Sequence, residues 1–125
     1  MKIKGKKIII VDDDESIRIF YSKILRDEGY EILAYPSCEH LLSVISANTP
    51  DLIILDLMLP WESGEIFLSK IKNIKKFSDI PVIVVSGKQL VNEEIQRIKN
   101  IGASDFMTKP VDIEELLEKS RAYLV

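Results

Sequence analysis

The sequence predicts an α/β fold, a doubly wound parallel sheet with helices on both faces. Short runs of β-branched apolar residues recur along the chain, as in strands buried on both sides. Each run is followed by a stretch whose apolar residues repeat at helical spacing. Glycine and proline punctuate the joins. Strict alternation of this kind implies right-handed crossovers and a layer of helices on each face.

The first run is Ile8-Ile9-Ile10-Val11. Ile17, Phe20, Tyr21, Ile24 and Leu25 then recur at helical spacing, in a helix expected to begin after Ser16 and to stop at Gly29. Glu31 to Tyr35 reads as a short strand, and Ser37 as the cap of a helix carrying Leu41, Leu42, Val44 and Ile45. Thr49-Pro50-Asp51 breaks the chain before the strand Leu52-Ile53-Ile54-Leu55. Gly64 opens a helix through Ile66, Phe67, Lys70, Ile71 and Ile74. Pro81 precedes Val82-Ile83-Val84-Val85, and Ile95, Ile98 and Ile101 mark a helix ending at Gly102. A last strand covers Asp105 to Thr108, and Ile113, Leu116, Leu117, Ser120 and Leu124 face one way on a final helix.

With 125 residues and no repeat, low-complexity tract or linker, the sequence reads as one domain over 1–125. The composition, 46% hydrophobic and 30% charged, is that of a globular protein. No apolar run approaches the roughly 20 residues that span a bilayer. The basic start is followed by an apolar run far too short for a secretory signal, so a cytoplasmic location is expected. Cys38 is the single cysteine and reads as a small structural residue; no Cys/His set has metal-ligand spacing. The net charge is −3, and no basic stripe suggests nucleic-acid binding. Lys2, Lys4, Lys6 and Lys7 read as a solvated terminus.

In doubly wound sheets the ligand site lies beyond the carboxyl ends of the strands, where strand order reverses. Asp12, Asp13 and Asp14 follow the first strand, Asp56 the third, Ser86 ends the fourth, and Lys109-Pro110 follow the fifth. With strands ordered 2-1-3-4-5 these side chains converge on one rim. Carboxylates, a hydroxyl and an ammonium there suit phosphoryl chemistry with a divalent cation. Mg²⁺ favours a couple of carboxylates plus water and phosphate oxygens, and it relieves repulsion within the acidic cluster. An anionic phosphoryl group needs a cation and a hydroxyl on its other oxygens, as Lys109 and Ser86 offer.

The pattern resembles the receiver domain of two-component response regulators, with the flavodoxin-like (βα)5 fold of the chemotaxis-regulator type. The likeness covers essentially the whole chain. It rests on Val11-Asp12-Asp13, on Leu55-Asp56-Leu57-Met58-Leu59-Pro60 with Gly64, on Val85-Ser86-Gly87, and on Gly102 through Pro110. The resemblance implies that Asp56 is the phosphoacceptor, fed by a sensor histidine kinase or histidine phosphotransfer protein. It implies Mg²⁺ (or Mn²⁺) held by Asp12, Asp13, Asp56 and the backbone carbonyl of Met58. Ser86 and Lys109 would grip the phosphoryl oxygens, and Phe106 occupies the aromatic switch position. The Lys109–Pro110 bond is expected to be cis. Met58 and Lys88 flank the path of an attacking water and are the residues expected to tune phosphoryl lifetime, towards slow self-dephosphorylation. The implied role is a switch that promotes its own phosphotransfer and dephosphorylation, not a conventional enzyme. Its output is expected through a partner protein or a second copy, on the face of the fourth helix, fifth strand and fifth helix. The chain stops just past the last helix, as either a stand-alone regulator or a receiver cut from a longer protein.

Other readings carry less. Asp12 to Asp14 suit a helix N-terminus, and for Asp14 capping is the better reading. His40 reads as solvated. Trp61 suits partner contact or packing equally. A phosphatase of the haloacid dehalogenase type would use Asp12-Asp13-Asp14 as its nucleophile motif but leaves no room for a flap and leaves Asp56 idle. A flavodoxin-like carrier would need a hydroxyl-rich phosphate loop where this chain has acids.

Overall fold

The computed structural model describes residues 5–60 and 62–124; Lys2, Lys4 and Trp61 lie outside them. Strands and helices alternate as β1 (Lys7–Val11), α1 (Glu15–Asp27), β2 (Glu31–Tyr35), α2 (Leu41–Ala47) and β3 (Leu52–Asp56). Then come α3 (Gly64–Lys72), β4 (Val82–Ser86), α4 (Asn92–Ile101), β5 (Asp105–Thr108) and α5 (Ile113–Leu124). All pairings are parallel and the order is β2-β1-β3-β4-β5, as expected for the flavodoxin-like topology.

The apolar runs are continuous because both faces of the sheet are covered. Ile9, Val11, Ile53, Leu55, Val82 and Val84 pack under Leu41 and Ile45 of α2, Phe67, Leu68 and Ile71 of α3 and Ile98 of α4. The alternate residues Ile8, Ile10, Leu52, Ile54, Ile83 and Val85 pack under Tyr21 and Leu25 of α1 and Leu116 and Leu124 of α5. Cys38 is buried in the first of these layers, and burial pushes its thiol up to about 12, which suits a structural role. Among the described residues no helix is long and apolar enough to cross a membrane.

Several local readings change; helix α3 stops at Lys72, leaving Ile74 past its end, and Ile66 is 55% exposed. Helix α1 begins at Glu15 because Asp14 is its cap, its carboxylate accepting from the N–H of Ser16 (2.8 Å) and Ile17 (3.3 Å). Ser37 does not cap α2; its hydroxyl accepts from Glu39 N–H (3.3 Å) in a turn ahead of the helix, and His40 stands at the start of α2 with φ 60°. His40 is exposed, beside Glu39. Phe20 and Ile113 fall on the apolar repeat but are 46% and 41% exposed, so each helix buries a narrower stripe than its spacing suggests.

Candidate functional site

The register of the sheet builds the site. Val11 pairs with Leu55, Asp56 with Val85, and Ser86 with Thr108, so the residues at or just past these strand ends share one rim. Asp12 and Asp56 are buried there, each 2% exposed, and Asp13 is exposed beside them. One carboxylate oxygen from each of Asp12, Asp13 and Asp56 lies within 4.8 Å of the others.

Lys109 closes the cluster from the end of β5. Its Nζ lies 2.9 Å from Asp12 Oδ2 and 2.8 Å from Asp56 Oδ2. The Lys109–Pro110 peptide is cis, as expected. The remaining oxygens are held by backbone: Asp56 Oδ1 accepts from Met58 N–H (2.8 Å), and Asp12 Oδ1 from Asp14 N–H (2.9 Å). Gly64 sits hard against the end of β3. A Cβ there would meet the Asp56 carbonyl oxygen at 2.2 Å, so glycine is what lets α3 start so close to the site.

Electrostatics follow from two buried acids sharing one ammonium, with Asp13 exposed beside them. Burial raises the Asp56 carboxyl above the usual carboxylate range; hydrogen bonds from Lys109 and Met58 pull it down, and the charge of Asp12 pushes it up. For Lys109, burial acts to lower its pKa, but the hydrogen bonds and charges of Asp56 and Asp12 prevail and hold it above the ordinary lysine value. It is a fixed cation. The oxygen-only donor set of the three carboxyl groups fits a hard divalent cation such as Mg²⁺.

The other expected residues are placed as follows. Ser86 is buried at the end of β4, but its hydroxyl hydrogen-bonds within its own turn, donating to the Lys88 carbonyl (2.9 Å) and accepting from Lys88 N–H (3.2 Å). Met58 is 62% exposed at the mouth. The Lys88 ammonium is turned to Glu94 of α4, 2.9 Å away. Phe106 is partly buried and packs against the apolar layer that includes Ile98 of α4. The ammonium groups of Lys99 and Lys119 lie 5.9 and 5.5 Å from its ring centre, and Lys119 also donates to the Phe106 carbonyl (2.7 Å).

Two contributors were not read from the sequence. Arg18 of α1 donates to the Asp12 carbonyl (2.7 Å) and steadies the acidic loop. Glu94 holds Lys88. Arg18 lies six residues from its partner, and nothing in the local pattern marks either contact.

A parallel five-stranded sheet with a lysine bridging two buried aspartates at its carboxyl rim defines a narrow class of protein. Residues 8–121 match the family described as the response regulator receiver domain, and the chain belongs to that family. It is 38% identical over 120 residues to the phosphate regulon transcriptional regulatory protein PhoB of Pseudomonas aeruginosa, covering 96% of this chain and 52% of that protein. To the regulatory protein VirG of Agrobacterium tumefaciens it is 32% identical over 126 residues, covering 98% of this chain and 46% of that protein. The chain thus spans about half the length of these curated relatives. The chemotaxis protein CheY4 of Vibrio cholerae superposes with a TM-score of 0.87 at 28% identity, covering 95% of this chain and 98% of that one. A CheY-like receiver domain protein of Methanospirillum hungatei gives a TM-score of 0.86 at 32% identity, covering 95% and 93%.

Proposed function

We propose that this receiver domain accepts a phosphoryl group on Asp56 from a phosphohistidine of a sensor histidine kinase or phosphotransfer protein. An Asp56 carboxylate oxygen attacks phosphorus, the bond to the histidine nitrogen breaks, and the imidazole leaves. The observation that carries this reading is the Lys109 ammonium shared between Asp12 and Asp56 at 2.9 and 2.8 Å. A cation already seated beside the acceptor oxygen is placed to take up charge on the phosphoryl group. Asp12, Asp13 and Asp56, with the Met58 carbonyl, would hold Mg²⁺ or Mn²⁺, whose charge offsets the repulsion between an anionic donor and the acids. Met58 N–H keeps the second Asp56 oxygen in place. Met58 and Lys88 offer no base to orient water, which favours slow loss of the group.

The Ser86 hydroxyl then turns to a phosphoryl oxygen and Phe106 moves into the space beside it. That alters the surface of α4, β5 and α5, where a downstream protein or a second copy docks. This chain itself is assigned no nucleic-acid or membrane contact, and a cytoplasmic setting suits the role.

Incubation with acetyl phosphate and Mg²⁺ should add one phosphoryl group by intact mass. Asp56→Asn should take none, and a chelator should abolish labelling of the parent. Labelling that survives in Asp56→Asn, or proceeds equally with the chelator, overturns the reading.

A further inference from the structure

The turn after β4 is closed on itself, and the closure reaches into α4. Ser86 Oγ is both donor to and acceptor from the backbone of Lys88. A hydroxyl engaged twice by one residue can face Asp56 only when that engagement is broken. Lys88 is in turn anchored. Its Nζ lies 2.9 Å from Glu94 Oε2, while Glu94 Oε1 accepts from Val91 N–H at 3.2 Å. Between these contacts Leu90 is buried in the core. Glu94 lies in the first turn of α4, and α4 is tied to α3 by Arg97 Nε and Glu65 Oε1 at 2.7 Å. One carboxylate therefore joins the residue holding the Ser86 hydroxyl to a helix braced at its middle.

We infer that Glu94 is a positioning residue for phosphoryl uptake: through Lys88 it holds the Ser86 hydroxyl turned away from Asp56. This rests on the reading of Asp56 as phosphoacceptor. In the resting chain the link keeps the turn closed, and uptake waits on its opening. A bare charge effect makes a different forecast. Deleting the negative charge of Glu94 would favour an anionic donor, and deleting the positive charge of Lys88 would disfavour it. Release of a tether speeds uptake in both cases.

The experiment follows initial phosphorylation of the full chain by acetyl phosphate with Mg²⁺, read by intact mass, for the parent, Glu94→Gln, Lys88→Met and the double variant. Glutamine keeps an acceptor for Val91 N–H, so the start of α4 is preserved. Each single variant should be about two- to fivefold faster, the scale of a partly exposed ion pair. The gain should appear in the maximal rate, with little change in the half-saturating donor concentration. The double variant should be no faster than the faster single one, since both remove one link. Rates equal to the parent, single variants that shift in opposite directions, or fully additive gains overturn the inference while leaving Asp56 as acceptor. A parent that takes no label overturns the reading of the site, and this inference with it.

Discussion

Phe106 stands between two environments. Its ring borders the apolar layer formed by Leu90, Ile95, Ile98 and Ala103, yet it is flanked by the Lys99 and Lys119 ammonium groups. Each cation–π contact is worth about 0.5–1 kcal/mol at such a site. On the proposed reading, phosphorylation would shift the population between this placement of the ring and one nearer Ser86. Phe106 has no hydroxyl, so in the proposed switch it would act on the surface through shape and burial. Amide hydrogen exchange should show altered protection across residues 95–108 when the parent is phosphorylated. Phe106→Ala should take the same label at Asp56 and lose most of that change. An unchanged exchange response in the variant would remove the ring from the switch. Much of the site at this scale was legible: Asp12, Asp56, Ser86 and Lys109 each follow or end an apolar run, and parallel topology gathers run ends. The orientation of the Ser86 hydroxyl, the Arg18 contact with Asp12 and the cations around Phe106 were not. They depend on rotamers and on pairs from separate elements, which no single-chain periodicity encodes.

Among the elements, α5 shows what periodicity reads and what it misses. Its spacing correctly put Leu116, Leu124 and Ser120 on the inward side, while Ile113, at the first position of the helix, is 41% exposed. Ser120 is fully buried, and its Oγ has no hydrogen-bond partner. A buried hydroxyl without a partner carries a desolvation cost that an alanine methyl does not, and alanine is also the better helix former. Ser120→Ala should raise stability by roughly 1 kcal/mol. In thermal unfolding that corresponds to about 4 °C for a domain of this size. A variant that melts at or below the parent would mean that the hydroxyl is satisfied in solution. The start of α2 was misread for a related reason. Ser37 has the right residue type for a cap, but its hydroxyl serves a local turn, and the helix begins only after His40.

For the molecule as a whole, a metal ion held by the acidic rim would link binding to folding. Three carboxylates cluster there, and the two buried ones share the Lys109 ammonium. A divalent cation that binds the folded rim and not the unfolded chain stabilises it by mass action. At ten times its dissociation constant the gain is about 1.4 kcal/mol, or roughly 5 °C in midpoint. MgCl₂ should therefore raise the melting temperature of the parent relative to a chelator. Asp13→Asn should lose most of the rise, because Asp13 is the exposed donor whose replacement disturbs the packed core least. An equal rise in Asp13→Asn would place the cation elsewhere.

The parallel register makes the two ends of the sheet unequal in what they tolerate. The acids, the hydroxyl and the lysine are set by backbone pairing, with Asp56 opposite Val85 and Ser86 opposite Thr108. One residue added inside β3 would turn Ile53 and Leu55 to the opposite face and carry Asp56 off its rung. The same residue added at the far end, in the loop of exposed Lys75 and Lys76 between α3 and β4, would leave every rung in place. A segment inserted at that far rim should therefore leave the chemistry proposed for the near one untouched, so long as Phe77 and Ile80 keep their buried places.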